Sequence, residues 1–380
     1  YITNNNCQFN YKTQNKENDH KGNGCHGGGG IAAYNGGSLQ ISGGCITGNY
    51  SAEAGGGVYA GHWTQPLDKL KVCGGIIAGN VAELSEGGGI RIAAPTIGEF
   101  DVLKGSHAYI TNNTTNTTND WGGGGVFVQG GNSDNGVNSA SLKIYNALIT
   151  ENQAMGYGGG FAACPTGVTA ITDTNGIAIY ENTDYGKNHS GGTGGKSEDR
   201  DWGTEGTSGQ ITDNFKQNGH KDLFLVRMKG NSDYIAAVTG QMLGGGAANW
   251  KGTIDDALPT SIGKYEGAQA KYMIGLEANP SSYDQGLARD YATLFITGNK
   301  SNIHGGGIMT NGNVVAGSTT EVKVYPKMKL NGIKKLTGRA LKAGEFKFQL
   351  LKPGKDGKAP SFIDGNLQLN DCSVVDTVEN

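Results

Sequence analysis

The side chains able to do chemistry are few, and the most suggestive cluster lies mid-chain. Asn182-Thr183-Asp184, Gly219-His220-Lys221 and Asp255-Asp256 supply three carboxylates and an imidazole. Carboxylates brought together from neighbouring strands can serve as the acid and base pair of glycoside hydrolysis. With a calcium ion and a basic residue they can promote elimination instead. Elsewhere the carboxylates Glu53, Glu83, Glu86 and Glu151 fall at corners between strands. His62, His107, His189 and His304 have no partnered carboxylate at a repeating distance and read as loop or corner residues. Trp63, Trp121, Trp202 and Trp250 lie in or beside loops, placed either to stack on sugars or to cap strand ends. The six cysteines show no Cys-x-x-Cys spacing, so neither a metal cluster nor a dense disulfide framework is expected. Cys45 and Cys73 fall at strand positions of adjacent repeats, as buried apolar thiols or, alternatively, as a disulfide pair. No metal and no cofactor is implied.

The elements that must position these groups are repeats. A glycine run followed by one apolar residue recurs as Gly28-Gly29-Gly30-Ile31, Gly55-Gly56-Gly57-Val58, Gly87-Gly88-Gly89-Ile90, Gly123-Gly124-Gly125-Val126 and Gly158-Gly159-Gly160-Phe161. The apolar residues are 27, 32, 36 and 35 apart, and the phrase returns at Gly305-Gly306-Gly307-Ile308. A second phrase travels with it: Ile2-Thr3-Asn4-Asn5, Ile46-Thr47-Gly48-Asn49, Ile77-Ala78-Gly79-Asn80, Ile110-Thr111-Asn112-Asn113, Ile149-Thr150-Glu151-Asn152 and Ile296-Thr297-Gly298-Asn299. Self-similarity at this period marks a solenoid. Each repeat holds three short alternating strands separated by Gly and Asn, and no window carries a helical apolar stripe. The fold class expected is all-β: a right-handed parallel β-helix followed by a partial antiparallel β-sandwich domain. Stacked coils would align Ile31, Val58, Ile90, Val126 and Phe161 in one column and the recurring Asn in another, each amide bonding the next.

Composition agrees. Glycine makes up 67 of 380 residues without a collagen period, and 36% hydrophobic residues suffice for a thin continuous core. The net charge of −3, with no basic cluster before the last sixty residues, gives nucleic-acid binding no electrostatic support. No apolar run is long enough to span a membrane. The chain opens mid-repeat at Tyr1 and reads as a piece of a longer protein, joined to further surface domains of the same chain.

The solenoid is expected over 1–317, with an irregular insertion at about 185–290 and loops at Gly61 to Pro66 and Asn112 to Trp121. Within the insertion Asp222 to Val226 and Tyr234 to Val238 read as strands, and Ala288 to Tyr291 as part of a short helix. The regular coils offer small side chains, so ligand contact is expected on the insertion, through Trp202, Tyr234, Trp250 and Tyr265. The alternative is that these aromatics form the insertion's own core. After Ser318 the composition turns Lys-rich and sharply alternating, as in Glu345-Phe346-Lys347-Phe348-Gln349-Leu350, which marks a second domain over 319–380.

Two resemblances bear on function. The Gly-Gly-Gly-Ile and Ile-Thr-x-Asn repeats resemble the parallel β-helix regions of bacterial surface proteins, including the polymorphic outer-membrane protein type. Leu294 to Asn313 is similar to the closing repeat of large Gram-positive adhesins. Lys334, Leu336, Gly338, Arg339, Leu341, Gly344, Glu345, Phe346, Phe348 and Leu350 resemble the opening of the streptococcal pilin isopeptide-linkage domain. That resemblance implies Lys334 as the lysine of an intramolecular amide whose Asn and acid would lie beyond Asn380. The three catalytic-looking segments resemble polygalacturonase elements in residue type, but the His precedes the Asp pair and no Arg-Ile-Lys follows.

The expected function is therefore non-enzymatic: a cell-surface adhesin or stalk segment of a Gram-positive bacterium, located outside the cell at the wall. Its partner would be a host or environmental glycan or protein, and not nucleic acid. The alternative is a carbohydrate-active β-helix enzyme, a polysaccharide lyase or glycoside hydrolase. Circular dichroism is expected to show a β spectrum, and a helical fraction above about one third would contradict the fold reading.

Overall fold

The computed structural model describes residues 1–8, 27–103, 105–117, 122–131, 136–163, 167, 169–172, 176–185, 220–226, 234–238, 240–254, 260–262, 265–268, 273–317, 347–352, 361–363, 366–368 and 373–379. The chain divides into two compact units, Tyr1–Tyr325 and Pro326–Asn380.

The first unit is built mostly of strands, in sheets of 13, 10 and 7, and parallel pairing predominates. Each repeat passes through the sheets in turn. Val58–Ala60 enters one, Lys69–Ala78 bends through the largest, and Val81–Ala82 enters the smallest. Repeats pair in equal register, so like residues stack on like. After the glycine run the column is Ile31, Val58, Ile90, Val126, Ile308, Phe161 and Leu223. At the second phrase it is Ile2, Ile46, Ile77, Ile110, Ile296, Ile149 and Ile179. The columns expected from sequence are present, with one change of order. The last repeat does not stack on the end; Leu294–Thr297 pairs with Ala108–Thr111 on one side and Ala147–Thr150 on the other.

Local sequence explains the corners. The residue before each column Asn lies in the left-handed region: Asn4, Gly48, Gly79, Asn112, Glu151, Glu181 and Gly298, at φ between 54° and 65°. Gly and Asn adopt that conformation at little cost, and the two glutamates are the strained members. The last glycine of each run leaves room for an Asn side chain. A Cβ on Gly89 would sit 2.6 Å from the Gly125 carbonyl oxygen and 2.9 Å from Asn113 Nδ2.

The core is double-sided at the post-glycine strand. Val58, Ile90 and Val126 face the main core, while Tyr59, Arg91, Phe127, Met309 and Phe224 stack on the opposite side and are also buried. Arg91 is held there by Glu86 at 3.2 Å and by the Tyr59 hydroxyl at 3.2 Å.

The expected insertion is only partly irregular. Leu223–Val226 and Tyr234–Val238 extend the parallel stack, and antiparallel strands then cover its edge. This reversal ends the template that an open parallel edge would present. A helix, Ser282–Tyr291, follows. Ser281 caps it by accepting from the Asp284 N–H, and Asp284 and Arg289 sit at the ends that suit the helix dipole. The helix leads into Thr293 and the last repeat.

Two readings are corrected. Asn113–Thr115 belongs to the stack rather than to a loop, because Thr114–Thr115 pairs with the repeats on both sides. Cys45 and Cys73 are free, half-buried thiols, and the register sets Cys45 opposite Ile76. In the second unit Lys347–Lys352 pairs antiparallel with Ser373–Glu379, and Ser361–Ile363 with Asn366–Gln368.

Gly89→Ala is expected to cost about 3 kcal/mol through overpacking against backbone. Gly43→Ala, where an added Cβ meets nothing within 4 Å, should stay within about 0.5 kcal/mol of the parent. Urea midpoints measure both, and equal effects would contradict the close-approach account.

Candidate functional site

Two of the three catalytic-looking segments, Asn182-Thr183-Asp184 and His220-Lys221, meet where the parallel stack ends. The inward position of the smallest sheet holds Cys7, Ser51, Ala82, Thr115, Ser301 and Ala154, all small, and then Asp184. Counting back from the register of Phe161 with Leu223, His220-Lys221-Asp222 occupies the place of the glycine run Gly158-Gly159-Gly160. No further parallel repeat presses on this level, so side chains fit where the other repeats admit only glycine.

His220 Nδ1 and Asp184 Oδ2 lie 2.5 Å apart, with side chains 7% and 2% exposed. The Gly158 N–H also donates to Asp184 Oδ2, at 3.2 Å. The Tyr157 ring meets His220 edge-on at 4.6 Å, packs on Phe224 at 4.9 Å and lies parallel to His304 at 5.9 Å. His304 Nδ1 in turn accepts the Tyr157 N–H at 2.9 Å. The pair therefore fixes a buried imidazole against the edge of an aromatic cluster of Tyr157, Phe224 and His304. The geometry can hold a proton between acid and base, but at this exposure it presents neither group to a polymeric substrate.

Beside it, Asp222 ends the asparagine column. From Asn5 through Asn49, Asn80, Asn113, Asn299, Asn152 and Asn182, each backbone N–H and side-chain Nδ2 donates to the Oδ1 of the next member. Asn182 has no following Asn, and its N–H and Nδ2 donate to Asp222 Oδ1 at 3.0 and 2.8 Å. The Ala278 N–H donates to Asp222 Oδ2 at 2.8 Å. Burial pushes the Asp222 carboxyl up to about 7, against the opposing pull of these three donors. Lys221 and Glu277 pair nearby at 3.3 Å, half exposed.

Of the residues expected to contact a ligand, the side chain of Trp250 is placed in the main core at 1% exposure, which corrects its assignment: no face is left for a ligand. Tyr234 opens the strand paired with Thr169–Thr172, and Tyr265 opens the strand paired with Tyr234–Val238. Trp202, Lys334, Asp255 and Asp256 lie outside the described residues. Sequence reasoning missed His304, Tyr157 and Asp222. Asp222 was detectable, because aligning Leu223 with the post-glycine column puts an acid at a glycine position. Among the described residues no group of three His, Cys, Asp or Glu side chains is arranged to hold a metal ion. No described helix is long and apolar enough to cross a membrane. Comparison with family models, curated proteins and solved structures gave no match.

Because the folded Asp222 carboxyl lies above its ordinary value near 4, its ionisation opposes folding. Its contribution is complete below about pH 4 and is lost as the pH rises through about 7. Urea midpoints of the parent should therefore fall across that window relative to Asp222→Asn. Parallel profiles for the two proteins would remove Asp222 as the cause.

Proposed function

We propose that the first unit is a right-handed parallel β-helix serving as a non-enzymatic stalk or adhesin segment on the surface of a Gram-positive bacterium. The observation that carries this reading is the equal register of the isoleucine column across seven stacked repeats, joined by one asparagine column. Such a stack resists slippage of one repeat past another, because slipping would break apolar and amide columns together. The positions after the column isoleucines carry Thr47, Ala78, Thr111, Thr297 and Thr150 rather than ionisable groups. The resemblance of the repeats to surface-protein repeats, and of the second unit to a pilin-type domain, supports the same reading. Lys334 would then be the isopeptide lysine, with its partners later in the parent chain. The ligand would be a host or environmental glycan or protein.

The contact of Asp184 with His220 favours a second reading, a carbohydrate-active enzyme. Their burial, with the Tyr157 ring edge-on against His220, favours structure over catalysis.

A polysaccharide panel, run with and without calcium, separates the two, and a glycan array addresses the ligand. The surface reading expects no release of reducing or unsaturated ends. Reproducible turnover that Asp184→Asn abolishes would overturn it.

A further inference from the structure

The placement of the last repeat has a consequence of its own. Residues 293–317 lie between two repeats that are consecutive in the chain. Leu294–Thr297 separates Ala108–Thr111 from Ala147–Thr150, and Lys300–Ser301 separates Thr114–Thr115 from Gln153–Ala154. Ile308–Thr310 separates Val126–Val128 from Phe161–Ala163, and Asn313–Ala316 separates Ser141–Ile144 from Thr169–Thr172. Both ends of the segment meet at one point. The Thr293 and Leu294 N–H groups donate to the Asn146 carbonyl at 3.0 and 3.2 Å, and the Gly317 N–H donates to the Ile144 carbonyl at 2.9 Å. Only Tyr145 and Asn146 link the flanking strands Ser141–Ile144 and Ala147–Thr150, with Asn146 at φ 48°.

We infer that residues 293–317 form a removable strap, and that the repeats on either side close directly on one another when it leaves. The residues that would then meet are the ones already stacked throughout the unit. Ile110 would meet Ile149, Asn113 would meet Asn152, and Val126 would meet Phe161, each pair now separated by Ile296, Asn299 or Ile308. Withdrawal breaks two interfaces between repeats and restores one. It therefore forfeits no more contact than peeling a repeat from an open end, although the strap lies in the middle. The closed state shortens the stack by one strand spacing, about 4.8 Å. It also converts 25 residues, 293 to 317, into a tether that can extend to about 80 Å. In the chain the second unit follows this segment.

Disulfide trapping in the full chain, with the six natural cysteines changed to serine, tests this. Thr114, Lys300 and Gln153 are neighbouring partly or fully exposed positions of the smallest sheet. Thr114→Cys with Lys300→Cys reports the strap in place, since paired strands lie within bridging distance. Thr114→Cys with Gln153→Cys spans about 9.6 Å while the strap is in place, beyond bridging reach, and closes only when it has left. With oxidised glutathione as the probe, the first pair should bridge within one chain in native buffer. The second should bridge within one chain at urea concentrations below the global unfolding midpoint. The first disulfide, once formed, should suppress release of the segment to protease. The inference is overturned if the second pair bridges only where the whole unit unfolds, if the first pair does not bridge in buffer, or if either bridge joins two chains.

Discussion

Equal register is the constraint on which the first unit depends. Each column Asn uses its amide in two directions, donating to the next Asn and to the carbonyl of an earlier isoleucine. Asn113 Nδ2, for example, lies 3.0 Å from Asn299 Oδ1 and 2.9 Å from the Ile77 carbonyl oxygen. Completely buried amides are tolerated only when fully bonded, and here every bond requires the neighbouring repeat at the same height. A slip by one residue would leave several donors orphaned and would turn the isoleucine column outward. The glycine run follows from the same demand, since a Cβ at its last position would occupy the space of the Asn side chain.

The second, smaller core explains why the acid and base pair lies where it does. Along the stack, the back of the post-glycine strand is covered in turn by Glu86 with Arg91 and Tyr59, then by His304 and Tyr157, and finally by His220 with Asp184. Glu86, His304 Nδ1 and His220 each meet a partner there, in Arg91, the Tyr157 N–H and Asp184. The resemblance to a catalytic dyad therefore arises at a terminus, where glycine is no longer required and larger side chains close the layer. Chemistry-bearing residues gather at such an end because the interior repeats exclude them sterically.

The sequence legibility of this protein divides along the same line. Ile46, Ile77 and Ile110, or Asn49, Asn80 and Asn113, could be aligned by inspection because stacking places identical residues together. What that identity cannot carry is order. When every repeat offers the same Ile, Asn and Gly faces, nothing in Leu294 to Asn299 distinguishes an end position from an internal one, and the middle placement was not foreseen. Trp250 was misjudged for a different reason. Its neighbours Asn249 and Lys251 are polar, so local composition suggested a loop, whereas antiparallel pairing with Glu277 and Leu276 draws the ring into the main core. Glu151 and Glu181 show tertiary demand overriding local preference, since neither favours the left-handed corner it occupies.

The asparagine column also has a sense of direction. Every amide donates the same way, and at the far end the Asp222 carboxyl accepts from Asn182 and Ala278. Viewed as a polymer of repeats, the stack is polar, and its Asp222 end is capped by an acid instead of another amide. Lengthening by duplication past Asp222 would first require a glycine where the acid stands, because that position belongs to the glycine run of the other repeats.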